Sequence, residues 1–209
     1  MSSSRPASLP ADAPGNLEVE GLPSYGYGAR SPTWWALLCL MMIEGTVFAL
    51  ALMTYFYLKS LSPVWPPGGE APALAPGLAN LALMLASLAP NALAARAARR
   101  ADPRATRGWL LASTVFALAA LVLRGFEFGA LRVDWNTNAY GSVIWLLMAL
   151  HTTHLITDAV STGVLAALFH IGPLEGRRFP NASENALYWY FVVGSWIPIF
   201  ATVYGAARL

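Results

Sequence analysis

Long apolar runs alternate along the chain with short polar breaks. The runs are roughly 20 to 30 residues long, enough to cross a hydrocarbon core of about 30 Å at about 1.5 Å of helix rise per residue. The first, 32–58, opens on Pro32, Thr33, Trp34 and Trp35 and closes on Tyr55 and Tyr57, so aromatic residues mark both membrane interfaces. The stretch Ser-Pro-Val-Trp-Pro-Pro-Gly-Gly from Ser62 cannot continue a helix, because consecutive prolines lack donors and glycine frees the backbone. A second run at 72–95 ends in a basic stretch, and a third occupies 108–128. After the polar turn Trp135-Asn-Thr-Asn, where Asp134 or Asn138 is placed to cap a helix, a long fourth run covers 140–170. The fifth, 186–207, carries Pro198, which removes one backbone bond and predicts a kink. The pattern predicts an all-α integral membrane protein, a bundle of about five transmembrane helices over 32–209 behind a flexible tail at 1–31 rich in Ser, Pro, Ala and Gly.

Composition agrees: 56% of residues are apolar and 11% charged, too few to coat a soluble domain of this length. The net charge of +2 matters less than its placement. Arg96, Arg99, Arg100, Arg104 and Arg107 crowd the connection after the second span, and Arg177 and Arg178 follow the fourth. By the positive-inside rule both connections face the cytoplasm, with the amino terminus inside and the carboxyl terminus outside. No basic stripe interleaved with polar contacts is present, which excludes nucleic acid as a partner. The lone Cys39 lies in an apolar run and supports neither a disulfide nor a cysteine-based metal site.

The polar residues inside the spans are the candidates for chemistry. Glu44 sits among Met41, Met42, Ile43 and Val47, where an ionised carboxylate costs about 2.5 to 3.5 kcal/mol on insertion scales. It should therefore face other helices, neutral and hydrogen-bonded, either as a structural contact or in proton handling. Arg124 and Glu127, three apart, are neighbours on one face of the third helix and placed to pair. On the fourth, His151 and His154 are three apart and Asp158 is one turn beyond His154, the pattern of a carboxylate orienting an imidazole. A metal needs three or four ligands, and the only other histidine, His170, is four turns or more away, so no metal site is expected. Thr152, Thr153 and Thr157 extend a polar stripe, and Gly141, Ser142, Ser161 and Gly163 suggest close helix contacts.

These stretches, in order from Trp34 to Tyr204, resemble cytochrome c oxidase subunit III in its short bacterial form. The resemblance rests on Trp34-Trp35 with Ile43-Glu44-Gly45 and Tyr55-Phe56-Tyr57, then on Trp65-Pro66-Pro67 in the next loop. It continues with Glu127-Phe128, Asn138-Ala139-Tyr140-Gly141-Ser142 and Leu150-His151-Thr152-Thr153-His154, its most specific element, and ends with Tyr188-Trp189-Tyr190-Phe191-Val192 and Trp196. The chain departs from the family at Tyr190, where His is usual, at Val193, where Asp is usual, and at Pro198, where a bulky apolar residue is usual. The family's two extra amino-terminal helices are also absent from it.

The resemblance implies a subunit that binds no cofactor itself, with haem and copper in partner subunits. Such a subunit sits beside oxidase subunit I (and II) in the bacterial plasma membrane, supports proton uptake and turnover stability, and holds phospholipid in a cleft. The inventory fits, since three histidines and one cysteine cannot ligate two haems and a copper. Glu44, Glu127, His151, His154 and Asp158 then stand as buried functional candidates. Trp34, Trp35, Trp65, Arg124, Tyr140, Trp189 and Trp196 stand as candidates for lipid or interface contact. The nearest rival is an accessory subunit III-like protein of nitric oxide reductase. A small membrane transporter is a third reading, weakened by the absence of any sequence repeat or paired broken helices.

Overall fold

The computed structural model describes residues 26–68, 70–172, 176 and 178–208. Five long helices make up the fold: α1 (Pro32–Ser60), α2 (Leu74–Arg99), α3 (Pro103–Gly129), α4 (Ala139–Ile171) and α5 (Arg178–Phe200). All five are long and apolar enough to cross a membrane. Most of the predicted tail lies outside the described residues. Of its remainder, Gly28–Arg30 forms a 3₁₀ turn, and the Tyr27 hydroxyl donates to the Ala98 carbonyl at 3.2 Å, folding this end of the tail onto the bundle.

Local sequence sets the helix ends. Pro32 and Pro103 occupy the first turns of α1 and α3, where a missing N–H costs nothing. Asp102 accepts from the backbone N–H groups of Arg104 and Ala105 at 3.0 and 3.1 Å. Of the two caps the sequence offers for α4, Asn138 is used, accepting from the Gly141 N–H at 2.8 Å. A Cβ at Gly141 would meet the Asp134 carbonyl at 2.2 Å, so the turn can close on the helix only over glycine.

The spans run longer than hydropathy alone predicts, most of all α5, which begins at Arg178 and not at residue 186. Its first turns look like loop in sequence, but Ser183 and Asn185 find partners on α2 and α4. Arginines join the bundle at this end too. Arg107 Nε donates to the Phe169 carbonyl at 2.6 Å and Arg178 Nη1 to that of Leu168 at 2.5 Å, capping the carboxyl end of α4. At the other end of α5, the helix passes into a π turn over Ala201–Gly205, three residues after Pro198, and the Thr202 hydroxyl donates to the Pro198 carbonyl at 2.8 Å.

Packing is uneven. Ala94 and Ala98 of α2 let it lie close against its neighbours α3 and α5, as small residues do where lipid removes the hydrophobic drive between helices. α4 is buried between α3, α5 and α1. α1 lies outermost, burying only Phe48, Ala51 and Tyr55 and turning Met42, Ile43, Leu50 and Met53 outward.

Candidate functional site

Two polar clusters occupy the bundle. The first is closed and centred on α3. Arg124 Nη1 lies 3.0 Å from Glu127 Oε2, the pair that the three-residue spacing predicts, with the two side chains 1% and 0% exposed. Asn80 of α2 donates to Glu127 Oε2 at 2.6 Å, and the Tyr204 hydroxyl from the π turn donates to Oε1 at 3.1 Å. The Arg124 guanidinium lies 3.7 Å over the Trp196 ring of α5, a cation–π contact. Its Nη2 donates to His151 Nδ1 at 3.1 Å. An arginine only donates, so Nδ1 must be the bare nitrogen of a neutral imidazole, whose Nε2–H donates to the Val192 carbonyl at 3.0 Å. One cation, one anion and one neutral ring thus tie α2, α3, α4 and α5 together. Gly77 makes room for the arrangement, because a Cβ there would lie 2.5 Å from the Tyr204 ring.

The second cluster is open. Between α1, α4 and α5 runs a groove of about 710 Å³, lined by Glu44, Asp158 and Glu184 among hydroxyls, amides and apolar side chains. Glu44 accepts at Oε2 from the Tyr188 hydroxyl at 2.9 Å, and its Oε1 lies 3.5 Å from His154 Nε2. His154 Nδ1 is 2.6 Å from the Leu150 carbonyl, which can only accept, so Nδ1 carries a proton. Nε2 is the ring nitrogen turned toward Glu44 on the neighbouring helix. Asp158 is 2% exposed and Glu184 7%, yet Asp158 Oδ2 and Glu184 Oε1 have no hydrogen-bond partner. On the wall beside them, Asn185 bridges Thr162 and Ser161 at 2.7 and 3.1 Å.

The structure places several of the sequence candidates differently from their expected roles. His154 turns to Glu44 on another helix, not to Asp158 one turn away, because its Nδ1 is already committed to its own helix. His151 and His154 part company, with the Phe48 ring 6.2 Å from one imidazole and 4.8 Å from the other. Among the lipid or interface candidates, Trp35 is exposed and donates to the Ala29 carbonyl, and Trp34 is half-buried against it. Arg124, Tyr140, Trp189 and Trp196 are all buried within the bundle. Trp189 Nε1 donates to Ser87 Oγ of α2 at 2.8 Å, and Trp65 packs edge-on between Tyr55 and Tyr140. Among the described residues, no three His, Cys, Asp or Glu side chains converge as metal ligands.

Sequence reasoning passed over Asn80, Glu184, Asn185 and Tyr204, and read Tyr188 only as part of a motif. A polar residue within or flanking an apolar span was the available signal for Asn80 and Asn185. At the departures from the family, Val193 is buried, and Tyr190 borders a small cavity beside Arg99.

No family model matches the chain. Curated relatives do. "Cytochrome c oxidase subunit 3" of the alga Pylaiella littoralis is 26% identical over 175 residues, which covers 80% of this chain and 64% of that protein. The protein of the same name from the bacterium Alkalihalophilus pseudofirmus is 26% identical over 165 residues, 77% of this chain and 80% of its own. A "probable cytochrome c oxidase subunit 3" of Nocardia farcinica is 26% identical over 148 residues, 67% and 70% of the two chains. The chain spans just under two thirds of the length of the algal relative and of the wheat and Arabidopsis thaliana ones.

Proposed function

We propose that this chain is the non-catalytic subunit III of a haem-copper terminal oxidase, docked beside subunit I (and II) and supporting proton uptake and the stability of the oxygen-reducing complex. The observation that carries the reading is its similarity to the Alkalihalophilus pseudofirmus protein over about four fifths of both chains. The arrangement inside the bundle suits the role. The buried ion pair and its partners brace four helices, and the groove between α1, α4 and α5 places Glu44, Asp158 and Glu184 along one polar wall. The role includes holding phospholipid in a cleft, and the apolar outward face of α1, where Met42, Ile43, Leu50 and Met53 are exposed, suits contact with acyl chains.

Extraction of the native complex in mild detergent should yield this chain together with a partner that shows a reduced-haem spectrum and consumes oxygen, while the chain expressed alone should be colourless. Reduction of nitric oxide by a complex without oxidase subunit I would instead support the nitric oxide reductase accessory, a reading that the departures at Tyr190, Val193 and Pro198 keep open. Purification as a lone chain that moves a solute across liposomes would replace both with a transporter.

Orientation follows from the same reading: the end bearing Arg96 to Arg107 faces the cytoplasm, and the carboxyl terminus lies outside. In a Cys39→Ala background, Arg100→Cys and Val64→Cys should react with an impermeant maleimide from opposite faces of sealed vesicles. Reaction of both from one face overturns this topology.

A further inference from the structure

The arginine-bearing end of the bundle carries charge that its own helices do not balance. Arg96, Arg99, Arg100 and Arg104 are exposed where α2 turns into α3. Among the described residues none of the four forms an ion pair, and Arg99 has a 3.3 Å hydrogen bond to the neutral Ser183 Oγ. Asp102 lies among them, but its Oδ1 is taken by the backbone N–H groups at the start of α3. Like charges one turn apart repel, and Arg104 adds its cation to the positive end of the α3 dipole.

The chain that leads into α1 is fastened at this same place. The Tyr27 hydroxyl donates at 3.2 Å to the carbonyl of Ala98, one position before Arg99. Tyr27 and Gly28 line a cavity of about 410 Å³ together with Arg99 and Glu184. Glu184 is 7% exposed and its Oε1 has no hydrogen-bond partner, so the cavity presents a buried acceptor without a donor beside an unbalanced cation.

Just before the fastening point the sequence supplies the complement, Leu17-Glu18-Val19-Glu20-Gly21-Leu22, which lies outside the described residues. Its reach follows from chain length. Glu20 is seven positions before Tyr27. At 3.3 to 3.6 Å per residue such a stretch spans at most about 25 Å, and a flexible one averages about 15 Å. Arg100 stands two positions beyond Ala98 on α2, well inside that radius. A tether this short gives the acids an effective concentration on the order of millimolar, enough to keep in place pairs that are weak singly. Leu17 and Val19 alternate with Glu18 and Glu20, so an extended segment turns its acids to one side and its apolar residues to the other.

We propose that residues 17–22 dock across the arginine-bearing ends of α2 and α3, with Glu18 and Glu20 paired to Arg100 and Arg104, and cover the mouth of the cavity that Glu184 lines. The occupant is this chain's own tail. Acidic lipid headgroups would also suit exposed arginines, but only the tail is delivered to them by a hydrogen bond already made at Ala98. The docking is independent of the subunit III reading.

In a Cys39→Ala background, Gly21→Cys with Ala101→Cys leaves every charge of the contact in place. A short bis-maleimide applied to the full chain in its native membrane should link the two thiols within one chain. Adding Glu18→Lys and Glu20→Lys should lower the yield roughly tenfold, because two surface pairs are lost and replaced by repulsion of similar size. Adding Arg100→Glu and Arg104→Glu to that protein should restore it. Should the arginine changes reduce accumulation, salt dependence is read instead with the native charges, and the yield should fall as high salt screens the exposed pairs. Equal yields with and without the tail reversal overturn the docking, and so does a link formed only between two chains, which would make the occupant a second copy. Absence of any link in the native membrane also overturns it. If a link then appears in vesicles of phosphatidylcholine alone, the arginines belong to acidic headgroups.

Discussion

His151 and His154 are three positions apart on one helix and live in different chemistries. His151 is fully buried, fixed as a neutral ring between the Arg124 guanidinium and the Val192 carbonyl. His154 is 12% exposed and Glu44 beside it 19%, and Glu44 lines the groove. Around Glu127 every carboxylate oxygen has a donor, whereas around Asp158 and Glu184 two oxygens have none. A satisfied cluster in a low dielectric is rigid and structural, and an unsatisfied one needs water or a moving proton. In this bundle the difference separates a closed, fully hydrogen-bonded cluster from an open, incompletely satisfied one.

The sharpest way to break the comparison is to remove a charge from each cluster in turn. Arg124→Met should destabilise the chain by about 3 to 5 kcal/mol, because it strands Glu127 and leaves His151 Nδ1 without its donor. Accumulation in the membrane and the thermal midpoint of the purified complex report the loss. The double change Arg124→Met with Glu127→Gln should recover much of it, and no recovery would show that the cluster acts through packing against Trp196 and not through charge.

A smaller effect is expected from Gly77→Ala. The new methyl must displace the Tyr204 ring and with it the hydroxyl that donates to Glu127, at about 1 to 3 kcal/mol for overpacking. Gly77→Ala combined with Tyr204→Leu should be milder than Gly77→Ala alone, and the midpoints of the two proteins check this.

The mildest change should be Glu44→Gln, at less than about 1 kcal/mol, because the amide still accepts from Tyr188 and can donate to His154. An apolar carbodiimide should modify Glu44 in the wild type and leave Glu127 untouched, as peptide mass mapping would show. Loss of assembly in Glu44→Gln would mean that an ionised structural pair holds α1, and the contrast between the two clusters would fail.

Much of the architecture is written in one dimension. Length and apolarity alone determined the five spans, since lipid forces each crossing segment to satisfy its backbone internally as a helix. The pairing of Arg124 with Glu127 and the cap at Asn138 were equally local, because helix geometry brings residues three apart onto one face and an Asn side chain reaches the N–H groups just after it. Tertiary structure decided the rest. Asn80 and Tyr204 reach Glu127 across 47 and 77 positions, and Tyr188 reaches Glu44 across 144, separations that no periodicity encodes. The inward turn of Trp189 and Trp196 depended on which face of α5 met α2 and α3, and the early start of α5 on partners supplied by other helices. A sequence tells how a segment meets the membrane because that solvent is uniform, but which polar groups satisfy one another depends on the rotation of each helix against its neighbours, and packing alone sets that rotation.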